Sequence, residues 1–219
     1  MSELKLVSLC RYLTGNLQRR EDDWASYHMV QAVKGRAVRG TFSVRVQGVV
    51  QHYGPGNYHE FLQYIPRGIW RQIKSRIDGP VYIVPIPNSH VVSPATPDFR
   101  TFDMAKRVAA ASDGQAAAVP ALWFREKLET SSSGGGSRDP DLLHEKLKSS
   151  GKLDRPVVLF DDVYTSGGHM KAAAWKMEDD GTTLALAVVF ARTTHAHEER
   201  PHGPEEEIID LSGRAGSLF

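Results

Sequence analysis

Residues 157–170 read VVLFDDVYTSGGHM, from Val157 to Met170, and the order of residue types in this stretch decides the fold. Val157 to Phe160 is an uninterrupted apolar run, as required of a strand at the centre of a parallel sheet with both faces buried. Two adjacent carboxylates, Asp161 and Asp162, end the run. A turn of hydroxyls and glycines follows, and a helix opens near Gly168 and extends to about Met177. The turn Asp179-Asp180-Gly181 and a second apolar run, Leu184 to Phe190, complete a βαβ unit.

The same alternation extends back to Gly79-Pro80. Val81 to Val84 reads as a short strand, about 99–111 as a helix, about 119–124 as a strand, and about 141–148 as a short helix. Ile208 to Leu211 adds a terminal strand. The expected fold class is α/β: an open, mostly parallel twisted sheet flanked by helices, whose ligands bind beyond the strand C-termini. This domain is expected over 80–219. Residues 1–79 read differently, as a mainly helical addition with one long strand. Asp22 and Asp23 can cap a helix to about Lys34, Thr41 to Tyr53 is rich in β-branched residues, and Asn57 can cap a helix that Pro66 kinks or splits. The addition is expected to form a hood or a partner surface.

Composition narrows the function classes. Of 219 residues, 41% are hydrophobic and 24% charged, which fits a globular chain and excludes fibrous or disordered types. The longest apolar run, Leu184 to Ala191, falls well short of the roughly 20 residues that span a bilayer. No basic segment followed by an apolar stretch opens the chain, so no signal peptide and a cytoplasmic location are expected. One cysteine, Cys10, excludes a disulfide framework and a cysteine-built zinc ribbon, and reads as a small buried hydrophobe. The net charge of +1 divides unevenly. Residues 1–80 hold 12 Lys and Arg against 6 Asp and Glu, and the remainder holds 15 against 20. The basic third can face nucleic acid, a protein, a phosphorylated substrate or the acidic part of the same chain, or it is solvated surface.

Adjacent carboxylates at a strand end repel each other unless something neutralises or uses them. Vicinal sugar hydroxyls and Mg²⁺ are suitable partners. Thr165, Ser166, Gly167, Gly168 and His169 place backbone N–H groups at a helix N-terminus, where an anion is stabilised. Acids and anion cradle this close together describe a grip for ribose 5-phosphate.

The stretch resembles the phosphoribosyl-pyrophosphate (PRPP) signature of the type I phosphoribosyltransferases: four apolar residues, two acids, two apolar residues, two hydroxyls, then Gly. The resemblance implies that Asp161 and Asp162 hold the ribose hydroxyls and that Thr165 to His169 hold the 5′-phosphate. It implies a PRPP-type ligand, Mg²⁺ near the acid pair, and transfer of the phosphoribosyl group to a nitrogen nucleophile with release of pyrophosphate. Val84 to Ser89 is similar to the pyrophosphate loop, giving Pro87, Asn88 and Ser89 that role, especially as in the ComF branch. Arg100-Thr101-Phe102-Asp103 is similar to a segment of that branch. Residues 125–140 lie where the family has a mobile catalytic loop, with Arg125, Lys127 and Arg138 as candidates to reach the pyrophosphate. A homo-oligomer is expected, as is the alternative of a non-catalytic member that senses nucleotides or binds RNA or protein.

Departures from the pattern are specific. His169 stands where the signature has Thr, so the imidazole must point away or join the phosphate as a cation. Thr165 stands where members that accept hypoxanthine carry an Asp base. Residues 85–90 contain no Lys or Arg. Elsewhere, 131–137 (SSSGGGS) reads as flexible chain, Gly134 to Gly136 lacks the Lys of a P-loop, and His195, His197 and His202 have ligand types in a polar segment. Trp24, Trp70, Trp123 and Trp175 are core or hood packing, or stacking platforms for bases.

Overall fold

A computed structural model describes residues 3–46, 48–95, 99–128 and 137–214. In chain order the elements are β1 (Glu3–Leu13), α1 (Glu21–Val33), β2 (Phe42–Val46), β3 (Val49–Tyr53), α2 (Tyr58–Phe61), α3 (Ile65–Lys74), β4 (Val81–Pro85), α4 (Arg100–Ala110), β5 (Ala116–Ala118), β6 (Leu122–Phe124), α5 (Pro140–Lys146), β7 (Leu147–Ser149), β8 (Val157–Tyr164), α6 (Gly168–Asp179), β9 (Leu184–Thr194) and β10 (His202–Asp210). Six strands form the main sheet in the order β10-β1-β9-β8-β4-β5. Every pairing in it is parallel except that of β10 with β1. The open, mostly parallel α/β sheet flanked by helices is therefore the fold of this chain.

Strand alternation divides the core into two layers. On one face Val7, Ile83, Val158, Phe160 and Val188 pack with α1, α3, α4 and the β2–β3 hairpin. On the other, Leu6, Val84, Leu159, Ala187 and Val189 pack with α6 and with the small β6–β7 ribbon. Val157 to Phe160 is fully buried, as its uninterrupted apolar sequence requires.

Three expectations are corrected. The opening residues are a strand of the main sheet rather than part of a mainly helical addition: ELKLVSLCRYL forms β1 and lies between β9 and β10. Lys5 and Arg11 interrupt its apolar pattern, but each meets an acid of β10: Lys5 pairs with Glu206 at 3.0 Å and Arg11 with Glu205. Arg76 also reaches Glu206, at 2.9 Å. Part of the basic first third is thus neutralised within the chain. The long strand over 41–53 is a hairpin, β2 paired antiparallel with β3 and folded between Val46 and Val49. The strand near 119–124 is divided at Pro120 into β5, in the main sheet, and β6, which pairs with β7.

Other elements agree with the sequence. Asp23 accepts the Arg20 backbone N–H at the start of α1 (2.9 Å). Asn57 precedes α2, although its side chain accepts from Gly54 N–H rather than from the helix. Pro66 sits in the first turn of α3, where a missing N–H costs little, and α2 and α3 are separate helices. Among the described residues no helix is long and apolar enough to cross a membrane.

The position of β1 gives a direct test. Leu6 is fully buried within the sheet. Leu6→Ala is expected to cost about 2–5 kcal/mol in urea unfolding. A cost within the about 0.5 kcal/mol typical of surface substitutions would mean that β1 is a loose appendage.

Candidate functional site

The site begins where neighbouring strands end at different heights. β4 stops at Pro85, opposite Phe160, whereas β9 runs beside β8 as far as Arg192 opposite Tyr164. The continued pairing with β9 keeps Asp161 and Asp162 inside β8, two residues before its end, rather than in the turn beyond it. The early end of β4 leaves one flank of both acids open to side chains from other elements.

Successive strand residues point to opposite faces, so the two carboxylates have different surroundings. Asp161 faces the start of α6. It lines a cavity of about 170 Å³ together with Arg138, Tyr164, Thr165 and the α6 N-terminus. Asp162 faces α4 and α1. Arg100, the first residue of α4, donates from Nη2 to its Oδ2, and donates from Nη1 to the Lys34 carbonyl at 3.0 Å. The hydroxyl of Thr101 fixes this helix start by donating to the Ile86 carbonyl at 3.0 Å.

Glycines shape the cradle. Gly167 has φ of +80°, and a Cβ there would overlap the Tyr164 ring. A Cβ on Gly168 would overlap the Arg138 carbonyl oxygen. Removing both side chains lets residues 138 and 164 close around the first turn of α6. The first N–H groups of that helix are available to an anion, as at any helix N-terminus. Thr165 and Ser166 are exposed at the mouth.

The electrostatic conflict falls mainly on Asp161. Burial, and secondly the Asp162 charge, push its carboxyl well above the ordinary carboxylate range. The Asp162 N–H, which donates to Asp161 Oδ1 at 2.8 Å, and the charges of Arg100 and Lys34 oppose that rise. Burial lowers the Lys34 pKa, with Asp162 acting in the opposite sense. His169 also lines the cavity. Its ring meets Phe124 edge-on at 6.2 Å, and burial followed by the Arg138 charge lowers its pKa. Both effects favour the uncharged imidazole.

The structure brings Asp161, Thr165, Ser166, Gly167, Gly168, His169 and Arg138 to one cavity, with Asp162 on the opposite face of the same strand. Pro87, Asn88 and Ser89 are not in its lining. Asn88 Oδ1 accepts from His90 N–H at 3.0 Å within the loop, and the Ser89 carbonyl accepts from Leu128 N–H at 2.9 Å, which ties the loop to the segment after β6. Arg125 lines a different opening, with His144, Lys176 and Arg214. Lys127 is exposed and lines neither. Of the expected loop over 125–140, residues 129–136, including most of SSSGGGS, lie outside the described residues.

The C-terminal histidines diverge. His197 Nδ1 is 2.8 Å from Asp23, His195 Nδ1 is 3.4 Å from the Thr14 hydroxyl, and His202 lies beside Cys10 across β10 and β1. Among the described residues no three His, Cys, Asp or Glu side chains form a metal-holding group. Burial pushes the Cys10 thiol up to about 12, removing it as a nucleophile at neutral pH. Trp70 and Trp175 are buried, Trp175 donating to the Leu211 carbonyl at 2.9 Å, whereas Trp24 is 46% exposed.

Two functional candidates escaped sequence reasoning. Arg100 was visible only as part of a helix-opening segment, with nothing to pair it with Asp162. Lys34 carried no signal, because only the packing of α1 brings it to the acids.

No family model matches the chain, and no curated protein sequence matches it. Among solved structures, adenine phosphoribosyltransferase from Saccharomyces cerevisiae is 13% identical with a TM-score of 0.39, over 75% of this chain and 88% of that one. Adenine phosphoribosyltransferase from Rhodothermus marinus is 13% identical with a TM-score of 0.40, over 76% and 98%. Orotate phosphoribosyltransferase from Aeropyrum pernix is 13% identical with a TM-score of 0.37, over 76% and 83%. At this distance the functional reading rests on the site itself.

The crowded carboxylate predicts a pH dependence. A raised folded-state pKa means that the native chain keeps a proton which the unfolded chain has lost, so stability falls as pH rises above the ordinary carboxylate range. Asp161→Asn is expected to melt about 2–4 °C above the wild type near pH 8, roughly 1 kcal/mol for a chain of this size, with the gain disappearing near pH 4. An equal difference at both pH values would contradict the account.

Proposed function

We propose that this chain binds PRPP, or a nucleotide containing ribose 5-phosphate, and transfers the phosphoribosyl group to a nitrogen nucleophile with release of pyrophosphate. One observation carries the reading: a carboxylate suited to ribose hydroxyls, Asp161, shares a small cavity with a glycine-opened helix N-terminus suited to phosphate. The 5′-phosphate sits on the N–H groups from Gly167 onward, with Thr165 and Ser166 donating at the mouth. Arg138, on the cavity wall, adds positive charge. Neutral His169 contributes packing against Phe124 and leaves the phosphate to the backbone donors and Arg138.

In the reaction the C1–O bond to pyrophosphate breaks, with the electron pair leaving on oxygen. A C1–N bond forms, and the attacking nitrogen loses a proton. Asp161, on the cavity side, faces positive charge developing on the sugar, which its ionised form stabilises. Asp161 Oδ2 and Asp162 Oδ1, which the contacts above leave over, are hard donors of the kind Mg²⁺ takes alongside substrate phosphates. Bound there, Mg²⁺ would supply positive charge to the leaving pyrophosphate. Asp162 must share its other oxygen with Arg100, so ligand binding and that ion pair compete.

A second reading, a non-catalytic ribose-phosphate sensor or binding subunit, is favoured by a different observation. The loop after β4 has no Lys or Arg, the Asn88 side-chain oxygen accepts from His90 N–H within it, and the Ser89 carbonyl is taken by Leu128 N–H. The ComF-like likeness of Arg100–Asp103 is compatible with both readings, since Arg100 touches the acid pair rather than the cavity.

Calorimetry separates the alternatives. PRPP with Mg²⁺ is expected to bind saturably, and Asp161→Asn combined with Asp162→Asn is expected to weaken binding at least tenfold, about 1.4 kcal/mol. Undiminished binding by the folded double variant would sink the assignment. If the wild type binds PRPP yet releases no pyrophosphate with a panel of purine and pyrimidine bases, the sensor reading replaces the transferase.

A further inference from the structure

A second cavity, of about 570 Å³, lies on the sheet face covered by α3 and the β2–β3 hairpin. None of its lining residues lines the ribose-phosphate cavity. Its volume falls within the roughly 300–1,000 Å³ of small-molecule sites. The interior is apolar, built from Leu9, Met29, Val44, Phe61, Ile65 and Phe190. Three guanidinium groups stand at its edge: Arg45 from β2, and Arg67 and Arg71 one turn apart on α3. Among the described residues no carboxylate lines it.

Two features of α3 show that this opening is more than loose packing. Arg67 and Arg71 are like charges at i and i+4, an arrangement that costs helix stability. Both are exposed, and neither has an ion-pair partner among the described residues, while Arg45 donates only to the Gly48 carbonyl at 3.4 Å. Between them is Gly68, inside the helix, where Gly costs about 0.5–1 kcal/mol relative to Ala. Packing does not demand that glycine: a Cβ there would meet Leu9 Cδ2 at an ordinary 3.7 Å. A side chain at 68 would instead extend into the cavity. The helix thus carries both an uncompensated charge pair and an omitted side chain at one place.

We infer that this cavity is a binding site for a small amphipathic anion, an apolar chain or ring ending in a carboxylate or phosphate. The apolar body lies against Phe61, Met29 and Phe190, where burial removes its surface from water. The anionic head meets Arg67 and Arg71, with Arg45 closing from the hairpin. Guanidinium forks suit both head groups through paired N–H donors. The inference does not depend on the ribose-phosphate reading, because the two sites share no residue.

Calorimetry with octanoate, octyl phosphate and 1-octanol tests it on the full chain. At least one anion is expected to bind with one-to-one stoichiometry and at least tenfold more tightly than the alcohol. Arg67→Gln with Arg71→Gln should reduce anion affinity at least tenfold and leave 1-octanol unchanged. Gly68→Leu should abolish binding of all three without lowering the melting temperature, and PRPP binding should be unaffected by it. Failure of both anions to bind, or binding that survives Gly68→Leu, overturns the site. Vesicles of phosphatidylglycerol distinguish a membrane source: vesicle binding that Arg67→Gln with Arg71→Gln weakens but Gly68→Leu leaves intact would make the arginines a membrane-facing patch and also overturn the cavity assignment.

Discussion

Two carboxylates on consecutive residues of a buried strand impose the constraint to which the rest of this fold responds. Asp161 and Asp162 cannot both remain charged and dry, since each raises the cost of ionising the other. β8 resolves part of the conflict by its own geometry, sending one side chain to each face of the sheet. The backbone N–H of Asp162 then donates to Asp161, so the strand itself stabilises the charge it crowds.

The remaining compensation comes from elements distant in the chain. β4 ends early enough for the start of α4 to place Arg100 on Asp162, and Arg100 in turn holds the last carbonyl region of α1 through Lys34. That link joins the N-terminal third to the acid pair. α1 follows β1 directly and packs on it and on β9, which brings Lys34 near the acids. Asp161, with no arginine in hydrogen-bond contact among the described residues, keeps the stronger drive for a donor, and it is the one that faces the glycine cradle.

Much of this was legible in residues 157–170. The apolar run, the acid pair and the glycine turn each have a local physical meaning, and the strand, cavity and helix start lie where those meanings put them. β1 was not legible, because Lys5 and Arg11 break its apolar run and their partners are acids of β10, at the other end of the chain. The hairpin was hidden for a related reason: residues 41–53 have β-forming types throughout, and such types do not mark where a strand folds back. The left-handed turn before α6 was readable at Gly167, whereas the preference of His169 for its uncharged form was not. It depends on Phe124 and Arg138, which tertiary packing supplies. Arg125 and Lys127 are close to Arg138 in sequence but do not line its cavity, because they stand on other surfaces.

The central claim is that Asp161 and the opening of α6 act as one ribose-phosphate grip. Amide-resolved NMR titration with ribose 5-phosphate tests this directly, because it reports on the cradle whether or not the chain catalyses anything. The account predicts saturable shifts concentrated on the amides of Thr165 to Met170 and on Asp161, with smaller changes at Arg100 as its ion pair adjusts. Shifts that avoid those residues, or that gather instead on α3 and the hairpin, would contradict it.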